Sequence, residues 1–184
     1  EDVDDSYRVV FAFCCGRQDL DSIEMVDVMS TEKRSALMSR IRGKNTGPEI
    51  QIRKLLWRSG LRFRLQGSGL PGRPDIVLRR WRAVVFVHGC FWHHHDNCPL
   101  FRMPATRTDF WEAKLARNRQ RDLETIKNLR KTDWRVAVVW ECALKHNPDE
   151  TGAALISWIR SESTGTELLK RGSSIMHVDL ADPI

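Results

Sequence analysis

Apolar residues fall along this chain at two spacings, and the two alternate. Residues 30–43 carry a basic helical pattern entered at Ser30 and stopped near Gly43. Thr46-Gly-Pro-Glu49 then has the form of a capping box, with proline near the first turn; it opens a helix that ends at Gly60. Residues 61–65, LRFRL, alternate apolar and basic side chains as a half-buried strand does. After the turn cluster GSGLPGRP come two apolar runs rich in β-branched residues, DIVLRR and AVVFVHG. Only Trp81-Arg82 separates them, so they predict two buried strands in a near-hairpin. Residues 105–131 predict a long helix, with Thr106 and Asp109 as a second capping box. WRVAVVW, residues 134–140, is a further buried strand, and residues 148–162 a closing helix. Helix, helix, three strands, loop, long helix, strand and helix together predict an α/β fold: a small mixed central sheet flanked by helices.

Composition narrows the class. The chain has 184 residues, enough for one ordinary domain with a real core, and 41% of them are apolar. No apolar run is long enough to cross a bilayer, so no membrane partner is expected. Lys and Arg number 30 against 24 Asp and Glu, a formal charge of +6, and the arginines recur through 34–64, 73–82 and 117–135. A basic surface spread this way favours a polyanion, most commonly nucleic acid. Residues 1–28 differ from the rest: acidic at both ends around VVFAFCC, too short to span a membrane and without a basic lead-in. They are expected to form a poorly ordered extension in which Cys14 and Cys15 have no role, leaving residues 29–184 as a single domain. Five cysteines without a signal peptide argue against a disulfide framework and for a reducing, cytoplasmic setting.

Chemistry concentrates in GCFWHHHDNC, residues 89–98. Cys90, His95 and Cys98 are soft or borderline donors in compact spacing, and Cys142, after the last buried strand, supplies a fourth. Four N/S ligands describe a closed, structural zinc site; two buried thiols and exposed histidines are the alternative. Asp75 opens a buried strand just after a Gly/Pro turn, and the next strand ends at His88. Such convergence is how hydrolytic nucleases hold Mg²⁺ against a phosphate, although a carboxylate at a strand's start is often only a solvated edge. On the long helix the apolar stripe runs Trp111, Leu115, Ile126, Leu129, and Asp122 falls inside it at about 100° per residue. A charge there needs a partner, an imidazole or an arginine. Asn118 lies one turn earlier. His93, which zinc does not need, is suited to take a proton from water if Asp122 stands behind it. His146 and His177 are read as surface residues.

LPGRPDIV, FVHGCFWHHH, PATRTDFWEAKLARN and WRVAVVWECAL, in this order and spacing, resemble the very-short-patch repair (Vsr) mismatch endonucleases. The likeness runs from about Ser30 to the region of Trp158. It implies a restriction-endonuclease-like fold with a structural zinc and a Mg²⁺-dependent nick in one strand at a T·G mismatch, the lesion left when 5-methylcytosine deaminates. It implies Mg²⁺ on Asp75 and the Val87 carbonyl, His93 as base with Asp122 behind it, His88 near water or phosphate, and zinc on Cys90, His95, Cys98 and Cys142. The family pattern has one residue between the zinc histidine and the next cysteine; here there are two, Asp96 and Asn97, so His94 is the alternative to His95. Phe91, Trp92 and Trp111 match aromatics wedged into the base stack beside the mismatch, where a weakened step is cheapest to open. Core packing would also account for Trp111. The basic first helix, with Met38 and Arg40, is expected along the opposite groove, its arginines on phosphates. The family has a glutamate near the active site at Glu49, which capping alone would also explain. The expected protein is a monomer in the bacterial cytoplasm, associated with the nucleoid, acting on duplex DNA, with mismatch-repair proteins as possible partners. The rival readings are a zinc-stapled DNA-binding module without catalysis and a restriction endonuclease cutting paired DNA.

Overall fold

The structure is a computed structural model that describes residues 43–171 and 174–178. The expected extension at 1–28 and the expected basic helix with Met38 and Arg40 lie outside the described residues. Within them the chain runs α1 (Gly47–Arg58), β1 (Arg64–Leu65), β2 (Ile76–Leu78), a 3₁₀ turn (Arg79–Trp81), β3 (Ala83–His88), α2 (Thr108–Lys131), β4 (Arg135–Trp140), α3 (Glu141–His146), α4 (Pro148–Arg160), β5 (Gly165–Arg171) and β6 (Ser174–Val178).

The strands form one sheet in sequence order. β1, β2 and β3 pair antiparallel, β3, β4 and β5 pair parallel, and β6 returns antiparallel on β5. The sheet is mixed and flanked by helices, as the sequence pattern predicts. The near-hairpin forms across the 3₁₀ turn, with Arg82 left-handed at φ 44° to turn the chain back. The first capping box forms in full: Thr46 accepts the Glu49 N–H, and the Glu49 carboxylate accepts the Thr46 N–H.

Alternation along the strands builds two layers of core. Ile76, Leu78, Ala83, Val85, Ala137 and Val139 face α1 and α4, where they meet Ile52, Leu56, Leu155 and Ile159. Val77, Val84, Phe86 and Val136 face the other way, onto Leu129 of α2. Each fully buried Val, Ile or Leu contributes about 1.5–3 kcal/mol against the entropy of ordering the chain. No described helix is long and apolar enough to cross a membrane.

Three features depart from the sequence pattern. The capping box at Thr106 and Asp109 does not form: Arg107 is left-handed at φ 56°, α2 starts only at Thr108, and no side chain caps it. Of residues 61–65, only Arg64 and Leu65 join the sheet. The chain does not close on a helix, because β5 and β6 follow α4 and complete the far edge of the sheet.

The turn before β2 is fixed against α2. Gly72 has φ +68°, and a Cβ there would lie 2.2 Å from Thr125 Cγ2 and 3.2 Å from Thr125 Cβ. Rotating Thr125 cannot clear its own Cβ, so turn and helix would have to separate. Gly72→Ala should therefore destabilise the fold by about 1–3 kcal/mol, from strain and overpacking together. Urea denaturation checks this; an unchanged midpoint would mean that the turn does not clamp α2.

Candidate active site and metal centre

The grouping of side chains at one end of the sheet is set by strand register. β2 and β3 run antiparallel, so the residue just before β2 lies beside the last residues of β3. Asp75 is that residue, and its Oδ2 accepts the Val87 N–H at 2.8 Å. Burial raises the Asp75 carboxyl above its ordinary range; the Val87 hydrogen bond opposes this, the nearby Glu49 carboxylate raises it further, and Arg53 and His93 lower it. Asp75, Glu49 and His93 thus share one electrostatic neighbourhood. Glu49 is buried, and its carboxylate accepts from the Asn45 N–H at 3.0 Å and from Arg53 at 2.5 Å. It caps α1 and stands near Asp75 at once.

His88 ends β3, buried, and its ring stacks flat on His93 with centroids 3.7 Å apart and 5° between planes. Burial, reinforced by His93 and His95, holds the His88 imidazole well below its ordinary pKa. On the other side, His93 Nδ1 lies 2.6 Å from Asp122 Oδ2. Of the two partners open to Asp122, the structure supplies the imidazole. A carboxylate at that distance makes Nδ1 the protonated nitrogen, so Nε2 is left free. Asn118 Nδ2 donates to the Trp92 carbonyl at 3.0 Å, and Asn118 Oδ1 accepts from Arg121 at 2.8 Å. The Asn118 amide thereby tethers the loop to α2.

Cys90, His95, Cys98 and Cys142 are all buried, with ligand atoms within 4.8 Å of one another; His94 lies outside the cluster. Cys142 comes from α3, the short helix that follows β4 directly. Its Sγ is 3.5 Å from His95 Nδ1. The Cys90 thiol is pushed up by a hydrogen bond with Cys142 and by burial, and Cys98 chiefly by burial. These thiols keep their protons unless a cation takes their place. A tetrahedral zinc at about 2.0–2.3 Å from its ligands spaces them by about 3.5–4 Å, which fits this donor set. None of the three thiols is disulfide-bonded.

Phe91, Trp92 and Trp111 meet in one half-buried aromatic cluster: centroids are 5.1 Å apart for Phe91–Trp92, 5.3 Å for Phe91–Trp111 and 6.3 Å for Trp92–Trp111. Trp111 belongs to this cluster rather than to the two main core layers. Phe110, 42% exposed, extends the cluster, and the Lys114 ammonium lies 5.1 Å from the Trp111 centroid. His146 is exposed at the end of α3, and His177 lies on β6.

Two residues escaped the sequence reading. Trp140 stands beside His88 on the adjacent strand; its indole stacks on His95 at 4.1 Å and meets His88 edge-on at 5.3 Å. It forms the wall between the cysteine cluster and the stacked histidines. Its N–H donates to Glu167 Oε1, on β5. A tryptophan ending an apolar strand reads simply as core, and Glu167 sits on a strand the pattern missed.

An acid at the mouth of a mixed sheet, beside a carboxylate-backed imidazole, defines the class: a nuclease of restriction-endonuclease-like fold. Comparison with known proteins agrees. A family model described as DNA mismatch endonuclease Vsr matches residues 26–99. The chain is 42% identical to the DNA mismatch endonuclease Vsr of Escherichia coli K12 over 156 residues, 83% of this chain and 99% of that protein. It is 49% identical over 120 residues to the type II nicking enzyme V.XorIIP of Xanthomonas oryzae pv. oryzae, covering 65% of this chain and 88% of the relative. The type II nicking enzyme V.NmeAIP of Neisseria meningitidis serogroup A is 43% identical over 122 residues, covering 66% and 86%. The chain belongs to the Vsr family of DNA mismatch endonucleases, and it is an endodeoxyribonuclease.

The raised Asp75 carboxyl has a measurable consequence. A carboxyl whose folded pKa exceeds its unfolded value binds more protons folded than unfolded between the two, so its contribution to stability falls as pH rises through that window. Asp75→Asn can still accept the Val87 N–H and carries no buried charge. It should raise the thermal midpoint at neutral pH in buffer free of divalent cations. An equal or lower midpoint would show that burial is not the dominant influence on this group.

Proposed function

We propose that this enzyme nicks one strand of duplex DNA at a T·G mismatch, using a Mg²⁺ ion, and so initiates very-short-patch repair. The observation that carries the reading is the meeting of Asp75 with the His93–Asp122 pair at one end of the sheet. Family membership and the nicking activity named for several relatives support it.

Asp75 fits a hard cation. It is a partly buried carboxylate with a like charge near it and with Oδ1 not engaged by the Val87 N–H. Asp75 and the Val87 carbonyl would hold Mg²⁺, and Cys90, His95, Cys98 and Cys142 would hold zinc. Mg²⁺ there supplies charge stabilisation to the attacked phosphate and the leaving 3′ oxygen. His93 takes a proton from water through Nε2. Asp122 fixes the ring in the required tautomer and offsets the positive charge that builds on it. His88, neutral and buried, orients water or phosphate from the other face of the stack. Phe91, Trp92 and Trp111 enter the weakened base stack beside the mismatch, with Asn118 securing the loop that carries two of them. The products are a 5′ phosphate and a 3′ hydroxyl.

A labelled T·G duplex and its fully paired control test this directly. Wild type with Mg²⁺ should nick one strand of the T·G duplex only, and Asp75→Ala should do nothing. Cutting of both strands in the paired control would make it a restriction enzyme; binding without cutting by either protein would make it a DNA-binding module. Asp122→Asn should bind DNA nearly as well as wild type and lose on the order of 10²–10⁴ in nicking rate. A full-rate variant would remove Asp122 from the mechanism. Cys142→Ser should reduce zinc content and thermal midpoint together; unchanged zinc by metal analysis would mean that the ligands lie elsewhere.

A further inference from the structure

At the end of the sheet away from the active site, a cavity of about 210 Å³ is rimmed by Arg62, Arg80 and Arg160, with Ser59, Gly60, Leu61 and Trp81 completing its lining. The topology puts it there. The 3₁₀ turn that carries Arg80 and Trp81 joins the end of β2 to the start of β3, whereas Asp75 and His88 occupy the opposite ends of those strands. The six residues of β3 set the two places about 17 Å apart along the strand.

The charges around this cavity are unbalanced. No carboxylate lines it, and none of the three arginines forms an ion pair with a described residue. Their other contacts hold them in place without neutralising them. Arg62 donates to the Trp57 carbonyl at 3.3 Å and lies 4.0 Å over the Trp57 ring, Arg160 donates to the Ser59 carbonyl at 3.2 Å, and Arg80 lies 5.8 Å from the Trp81 ring centroid. Each contact leaves guanidinium N–H groups unspent. Three forked cations held around one open cavity repel one another until an anion with several acceptor oxygens sits between them, and a phosphate diester has that shape. Trp57, 57% exposed beside Arg62, adds an aromatic face of the kind that sugar and base edges pack against.

We propose that this cavity is a second phosphate-binding site, which grips the DNA backbone at a place separate from the active site. A nuclease of net charge +6 already has DNA as its partner, and a small cavity with three arginines and no carboxylate on its rim suits a phosphate better than it suits an apolar protein surface. The phosphates come either from a more distant stretch of the duplex held at the active site or from a separate duplex.

The test uses fully paired DNA, so its outcome does not depend on mismatch recognition. Affinities of the whole chain for fluorescein-labelled duplexes of about 12 and about 40 base pairs are measured against NaCl concentration without divalent cations. Arg62→Gln/Arg80→Gln/Arg160→Gln should lower the slope of log Kd against log[salt] on the longer duplex by about 2–3 and weaken binding by at least about tenfold. Because Arg160 also holds the Ser59 carbonyl, Arg62→Gln/Arg80→Gln serves beside it, with an expected loss of about 2 in slope. Sedimentation then identifies the source. Two short duplexes per wild-type chain, against one per variant chain, mean a separate duplex; one per chain in both means the same duplex. Folded variants with wild-type slopes and stoichiometries on both lengths would overturn the proposal. So would a site that polyglutamate fills while duplex DNA leaves it empty, since that would assign the cavity to an acidic protein.

Discussion

The candidate site depends on four side chains that the chain brings together from two places. Residues 89–101 contain no regular helix or strand, yet Cys90, Phe91, Trp92, His93, His95 and Cys98 all lie there. The segment's own backbone bonds are few: His93 N–H to the Gly89 carbonyl, His94 to Phe91, His95 to Cys90 and Phe101 to Cys98. They wind local turns without fixing the segment to the sheet. Cys142 does that, because it lies in the first turn of the short helix at the end of β4 and its sulfur lies among the loop's donors. An ordinary protein interior would fill this space with apolar side chains. Three thiols and an imidazole fill it here; thiols pack as small apolar groups, and together with the imidazole they form a donor set that suits a cation in place of their protons.

Trp140 carries that constraint to the chemistry. One face of the indole lies on His95, its edge meets His88, and the Glu167 carboxylate holds its N–H. The last residue of β4 therefore sets two imidazoles at once. Strand register does the rest: the parallel pairing of β3 with β4 puts His88 opposite Trp140, and the antiparallel pairing of β2 with β3 puts Asp75 against Val87. Asp75, His88 and Trp140 are thus set from strand ends, Glu49 by α1 and Asp122 by α2, around the loop residues His93 and His95.

Much of this was legible along the chain. The near-hairpin, the buried strand at 134–140, the Thr46–Glu49 box and the position of Asp122 within an apolar stripe all follow from spacing, because each is a local rule repeated over several residues. What spacing did not reveal is equally physical. The six residues of α3 are too few to show a period. β5 and β6 alternate only weakly, because Glu167, Lys170 and Arg171 interrupt the apolar pattern, and the family likeness ended before them. Thr106 and Asp109 have the letters of a capping box, but Arg107 turns left-handed and moves the helix start to Thr108. The arginines around the far cavity lie at 62, 80 and 160, and only the folded chain brings them to one rim.

The His88–His93 stack bears on how the proposed chemistry can run. Two imidazolium rings face to face at 3.7 Å would repel strongly, so the pair can hold one extra proton at a time. Burial decides which ring stays neutral: His88 is sealed from water and held well below its usual pKa, whereas His93 keeps part of its surface exposed and has Asp122 on Nδ1. A proton taken from water therefore goes to the ring with a carboxylate behind it, and the ring in front stays an uncharged surface against which that proton can be held. On this reading the apolar wall made by Phe86 and Trp140 around His88 keeps the base free to act as well as packing the core.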